Sequence, residues 1–210
     1  MPDLYIIAGP NGSGKSTYSS LLLPLYLTPF DADKELKSLE NEFAGLESWR
    51  VMELVEDRFE KEMGRAIAGK KDFAFETNLT SEDPLRIPKM FQQGGYRTNL
   101  IYIGLESAKM AIARVAHRVA MGGHNVPDYQ IIQRYRDGLD NLQKYAWFFD
   151  RTRIYASRRG LKIATPRMVY ELKKGTAVTR NMQAPKWAAK LQFEGLSNER
   201  AAEQRKGRRR

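Results

Sequence analysis

The chain has 210 residues, 42% of them hydrophobic and 29% charged, and no cysteine. That composition is globular and excludes a mostly disordered, collagen-like or membrane-spanning chain. It also excludes a disulfide scaffold, a thiolate zinc site and a cysteine nucleophile. Of the net charge of +10, five units lie in the last six residues, Arg205 to Arg210, so the remainder suits a protein that handles polyanionic small molecules as well as one that binds DNA. Met1-Pro2-Asp3 carries no basic leader or small-residue cleavage site, and a cytoplasmic protein is expected.

In chain order, residues 3 to 8 form an apolar run expected as a buried strand, followed by a glycine-rich turn. A helix is expected from Lys15 to Leu23, where Pro24 ends it, and residues 25 to 30 read as a short second strand followed by an acidic turn. Val51, Leu54, Val55, Phe59, Met63, Ala66 and Ile67 make one helical stripe between about Glu47 and Gly69. Phe73 to Phe75 reads as a strand ending at Glu76, and a polar stretch leads into a helix that stops at Gly94-Gly95. A strand over 98 to 105 precedes helices at about 107 to 121 and 129 to 149, split by Gly122-Gly123-His124-Asn125-Val126-Pro127. A fifth strand is expected near 153 to 156, a hairpin within 161 to 181 turning at Lys173-Lys174-Gly175, and a weak helix bearing Trp187 beyond.

Strands alternating with helices predict an α/β fold: a parallel five-stranded sheet with helices on both faces, plus the C-terminal hairpin. The expected organisation is a single domain over 1 to 196, with a helical lid at about 107 to 149, and a basic, disordered tail over 197 to 210. Ligands of such sheets bind beyond the carboxyl ends of the strands.

Gly9-Pro10-Asn11-Gly12-Ser13-Gly14-Lys15-Ser16 fits G-x-x-x-x-G-K-[ST] in full, with Thr17 following. Glycines let successive backbone N–H groups face inward, and the following helix adds its positive end, so the loop is built for a triphosphate. Lys15 is placed to reach the β- and γ-phosphates of ATP, and Ser16 to put its hydroxyl on Mg²⁺. The pattern arises by accident in roughly one chain in a hundred of this length, and the strand before it and helix after it cut that several-fold. The chain lacks the acidic strand ending of ATPase motors, the guanine-reading Asn/Thr-Lys-x-Asp and the transporter signature. A small phosphotransferase remains, which needs a base, an acceptor pocket and cationic side chains over the transferred group. Asp31 and Asp33, after the second expected strand, are candidates for the base or a metal contact, with helix capping as the competing role. Glu76 lies on the same rim. Arg114 and Arg118, four apart on one helix, would clamp charge from the lid, and His124 in the lid loop is either a phosphate contact or a solvated residue.

The set Gly9 to Thr17, Phe30-Asp31-Ala32-Asp33, Phe75-Glu76-Thr77-Asn78-Leu79, Arg114 to Val119, Gly122 to Pro127 and Arg134-Tyr135 resembles the zeta-toxin-like P-loop kinases over roughly residues 4 to 160. The resemblance implies ATP-dependent phosphorylation of a sugar hydroxyl, with UDP-N-acetylglucosamine as the acceptor in the best-known members, and an antitoxin-like protein partner. It implies Lys15 and Ser16 on ATP and magnesium, Asp33 as the catalytic aspartate, and Arg118 as the phosphate clamp. Glu76 would contact the sugar nucleotide, with Thr77, Asp31 and Arg134 around the acceptor. His124 stands near the place of a second family arginine, with Arg114 or Arg134 as its substitute, and Asp31 replaces a common asparagine. Two other functions fit the sequence: an ATP-gated nucleic-acid-binding protein that grips phosphates through its basic tail and surface lysines, and a nucleotide-bound on/off scaffold for a partner such as an antitoxin-like protein, without turnover.

Overall fold

The computed structural model describes residues 1–157, 165–181 and 183–193. The expected basic tail and the start of the expected hairpin lie outside the described residues. The elements run β1 (Asp3–Ala8), α1 (Lys15–Leu22), α2 (Ala32–Glu42), α3 (Ser48–Gly69), β2 (Phe73–Thr77), α4 (Arg86–Gln93) and β3 (Arg97–Gly104). Then come α5 (Ala108–Ala120), α6 (Asp128–Tyr145), a 3₁₀ turn, β4 (Arg151–Ala156), β5 (Arg167–Lys173), β6 (Thr176–Arg180) and the short α7 (Lys186–Ala189).

One six-stranded sheet has the order β2-β1-β3-β4-β5-β6. The first four are mutually parallel and the β5–β6 hairpin adds two antiparallel strands at one edge. The five-stranded parallel sheet is thus corrected to four parallel strands extended by the hairpin. The expected strand over 25 to 30 does not form: Leu27 N–H bonds to Pro24 O at 2.9 Å in a turn, and only Phe30 bridges to Phe75. Proline at 24 and 29 leaves too few amide donors for a ladder there. The acidic turn after it is a full helix, α2, started by the Asp31 carboxylate, which accepts from the Asp33 and Lys34 amides.

The sheet is covered unequally. One face carries the main core, where Leu39 of α2, Val51 and Met63 of α3, Phe91 of α4 and Leu142 of α6 meet Leu4, Ile6, Leu100 and Tyr102. The other face has a smaller cluster in which Tyr18 and Leu23 meet Ile7, Ile101, Ile103 and Tyr155, so among the described residues α1 alone covers it. Helices α5 and α6 share a third cluster around Leu105, Ala111, Val115, Val126 and Ile131, while Leu142 ties α6 to the main core. No helix among the described residues is long and apolar enough to cross a membrane.

Candidate active site

The strand order reverses at β1, whose neighbours are β2 and β3, and the glycine-rich loop leaves its carboxyl end at that switch point. Gly9, Gly12 and Gly14 hold φ values of 145°, 73° and 91°, a region hostile to side chains. A Cβ on Gly9 would lie 2.3 Å from Ile103 O, and one on Gly12 would lie 3.0 Å from Arg114 Cβ. The loop is tight because the backbone itself must surround something. Gly14 caps α1 with no side chain, leaving the positive helix end open to an anion. Ser13 Oγ is buried without a partner among the described residues, a donor that a phosphate oxygen would satisfy. These features fit a nucleotide triphosphate.

Lys15 Nζ donates to Gly9 O at 2.8 Å, Pro10 O at 3.4 Å and Asn78 Oδ1 at 3.0 Å. Enclosure away from water pushes its ammonium down to about 8, against the opposing pull of Glu76, Asp33 and Asp31. A phosphate would add negative charge beside this half-buried cation, together with that of Glu76, Asp33 and Asp31. Ser16 Oγ lies 3.0 Å from Asp31 Oδ2 and 2.8 Å from Glu76 Oε2, so the expected Mg²⁺ hydroxyl stands between two carboxylates. Among the described residues no group of three or more His, Cys, Asp or Glu could hold a metal ion. Magnesium at this point would therefore rest on Ser16, nearby carboxylates and substrate phosphates, its usual mode.

Glu76 is pushed up to about 7 by desolvation, then by the Asp31 charge, against the Ser16 hydrogen bond and the attraction of Lys15. Its Oε1 is buried with no described partner. Because the folded protein holds this proton above the normal carboxyl range of 4.5, Glu76 favours the folded state at low pH, and that contribution is lost as pH rises from about 4.5 to 7. In nucleotide-free thermal melts, Glu76→Gln is expected to lose less stability than wild type between pH 5 and pH 7.5. Parallel pH profiles for the two proteins would contradict the shift.

The two aspartates separate by engagement. Asp31 caps α2, contacts Ser16 and pairs with Lys34 Nζ at 3.4 Å. Asp33 stands exposed in the first turn of α2, its carboxylate makes no hydrogen bond or ion pair among the described residues, and its charge acts on Lys15. Arg118 also acts on Lys15; its Nη2 donates to His124 O at 2.8 Å and its Nε is buried without a described partner. The His124 side chain itself is exposed. Arg114 reaches Gly12 O at 3.2 Å and Ser157 Oγ at 2.6 Å, while Arg134 lies 3.4 Å from Asn11 Oδ1. These two arginines thus brace the outside of the loop. Thr77 Oγ1 accepts from Leu79 N–H at 3.0 Å, so this hydroxyl shapes a turn, and Thr17 is exposed.

Sequence reasoning gave no role to Asn78, the side chain that holds Lys15. Its position follows from the parallel register that sets Ala8 of β1 beside Thr77 of β2, so the loop and the turn leave neighbouring strand ends together. Leu79 is held at φ 61°, a strained value for a leucine, and its carbonyl accepts from Asn141 Nδ2 of α6 at 2.9 Å. A Cβ on Gly138 of α6 would fall 2.7 Å from Asn78 O. Helix α6 therefore rests directly on the turn that grips Lys15.

No protein-family model matches the chain. It is 27% identical to an uncharacterized protein of Haemophilus influenzae over 130 residues, which are 60% of this chain and 88% of that protein. Among solved structures, a candidate kinase from Chloroflexus aurantiacus matches with a TM-score of 0.52 and 19% identity over 63% of this chain and 78% of that one. A structure of the PezAT chromosomal toxin-antitoxin system of Streptococcus pneumoniae matches with a TM-score of 0.64 and 18% identity, over 93% of this chain and 78% of that one. A complex of AvrRxo1-ORF1 and AvrRxo1-ORF2 with ATP matches with a TM-score of 0.61 and 14% identity, over 96% of this chain and 63% of that one. At these identities the likeness is one of fold: the chain adopts the α/β architecture of the candidate kinase, the PezAT system and the AvrRxo1-ORF1 complex.

Proposed function

We propose that the protein is an ATP-dependent phosphotransferase that moves the γ-phosphoryl group to a hydroxyl of a sugar nucleotide such as UDP-N-acetylglucosamine. The observation that carries the reading is the Lys15–Asn78–Glu76–Ser16–Asp31 constellation at the ends of β1 and β2, with Asp33 left uncommitted beside it. The solved ATP complex of the same fold supports nucleotide as the donor. In this reading Gly9 to Thr17 cradle the phosphates, Lys15 exchanges its carbonyl partners for β- and γ-oxygens, and Arg118 balances charge on the transferred group. Asp33 takes the acceptor hydroxyl's proton as that oxygen bonds to phosphorus. The bond from phosphorus to the β,γ-bridging oxygen breaks, and ADP leaves. Magnesium held at Ser16 would add charge neutralisation on the phosphates. Glu76 and Asp31 orient the Ser16 hydroxyl, and Glu76, Thr77 and Arg134 border the acceptor. The PezAT likeness supports an antitoxin-like protein as a partner.

Asp33→Asn is expected to keep ATP affinity within a few-fold while turnover drops by about a hundredfold or more. Calorimetry with ATP and mass spectrometry of UDP-N-acetylglucosamine, or of a metabolite extract, for species heavier by one phosphoryl group measure both. Undiminished turnover would move the base to another group. ATP binding with no phosphorylated product in wild type would favour a nucleotide-bound scaffold instead.

A further inference from the structure

We propose that the hollow at the amino ends of the central strands is a second binding site, for a small molecule joining a phosphate or carboxylate anion to an apolar ring. It lies at the opposite edge of the sheet from the glycine-rich loop, a strand length or about 20 Å away. The hollow has a volume of about 790 Å³, and its lining includes the apolar Leu22, Leu23 and Pro24, the Tyr5 ring, and the cations Arg97, Arg151, Arg153, Lys173 and Lys174. That size falls within the usual range for small-molecule pockets.

The hollow exists because α1 stops at Leu22, short of the amino ends of the strands it covers. Strand alternation and register then bring Tyr5, Asn99, Arg151, Arg153 and Lys173 to one face. Two of the cations are already matched. Arg97 pairs with Asp3 through two bonds of 2.6 Å, and Arg151 Nε donates to Glu171 at 2.6 Å. The Asp150 carboxylate is taken by the Thr98 amide and hydroxyl at 2.8 and 3.0 Å.

Arg153, Lys173 and Lys174 have no ion-pair partner among the described residues, and Arg153 Nε is buried without a hydrogen bond. A buried guanidinium donor left unmatched is costly, and an oxyanion forms charge-assisted bonds with it. The exposed lysines of the β5–β6 turn can swing over the same anion. Leu22, Leu23 and Pro24 at the end of α1, with the Tyr5 ring on the sheet face beside the cations, offer apolar surface of the right kind for a ring. The hollow is bounded by the end of α1 and by the hairpin turn, which favours a compact ligand over an extended chain.

The site does not depend on the proposed phosphotransfer; Lys15→Ala weakens the nucleotide loop, and the Arg153 and Lys173 substitutions separate the hollow from it. Calorimetric titration of the full-length Lys15→Ala protein with 1-naphthyl phosphate is expected to show one saturable site that weakens as salt rises. Adding Arg153→Gln is expected to weaken it tenfold or more, and adding the exposed substitution Lys173→Glu several-fold. Absence of saturable binding in the Lys15→Ala protein, or equal affinity after Arg153→Gln, overturns the proposal. If Arg153→Gln loses its cooperative melt, Lys173→Glu decides by the same criterion.

Discussion

Lys15→Ala is expected to reduce ATP-dependent phosphoryl transfer by about a thousandfold or more, because no other cation can take its place between the β- and γ-phosphates. Arg114 is spent on Gly12 O and Ser157 Oγ, and Arg134 lies against Asn11. Arg118 approaches from the lid and is tied to His124 O. The same substitution should leave the nucleotide-free fold intact. The Lys15 ammonium is pushed down to about 8 by burial, so its charged form is a burden on the folded state, and that burden lightens as pH rises from about 8 to 10.5. An unchanged or slightly raised Tm together with lost turnover is the expected pair of results. A large fall in Tm would show that Lys15 is structural, and transfer within tenfold of wild type would remove it from phosphate binding.

Gly9→Ala is expected to be strongly destabilising. The new methyl carbon would sit 2.3 Å from Ile103 O, and a backbone carbonyl in the sheet centre has no rotamer by which to retreat. The residue also stands at φ 145°, so strain and overlap act together. A cost of about 3 kcal/mol or more follows, which for a chain of this size is a fall in Tm of roughly 10 °C. Gly45→Ala is the matched control: its φ is 105°, but no atom lies within 4 Å of the added carbon, so only the backbone term remains. Thermal melts that gave the two variants the same Tm would discount the overlap with Ile103.

The parts of this site that were legible in the sequence are those whose chemistry is local. The loop from Gly9 to Ser16 declares itself because its glycines, lysine and serine act within one turn of chain. The long α3 was legible from its apolar stripe. By contrast, α2 is half the length of α3, six of its eleven residues are charged and Leu39 is its one buried side chain, so its apolar stripe is short; its start depends on the Asp31 cap. Residues 25 to 30 misled in the opposite sense, since an apolar composition suggested pairing while Leu25 and Tyr26 are exposed in a proline-bounded turn. The hairpin was foreseen, but its lateral pairing with β4 is a tertiary fact, fixed by the Arg151 to Lys173 register. Asn78 was hidden because its partner is 63 residues away.

The contact between Gly138 and the Asn78 carbonyl gives α6 the position of a pawl on a ratchet tooth. When the helix is seated, the Asn78 amide oxygen keeps the lysine parked on its own loop. The helix and the turn that holds the lysine thus share one packed seam, and slow amide exchange along α6 is expected to quicken in step with that of the turn below it.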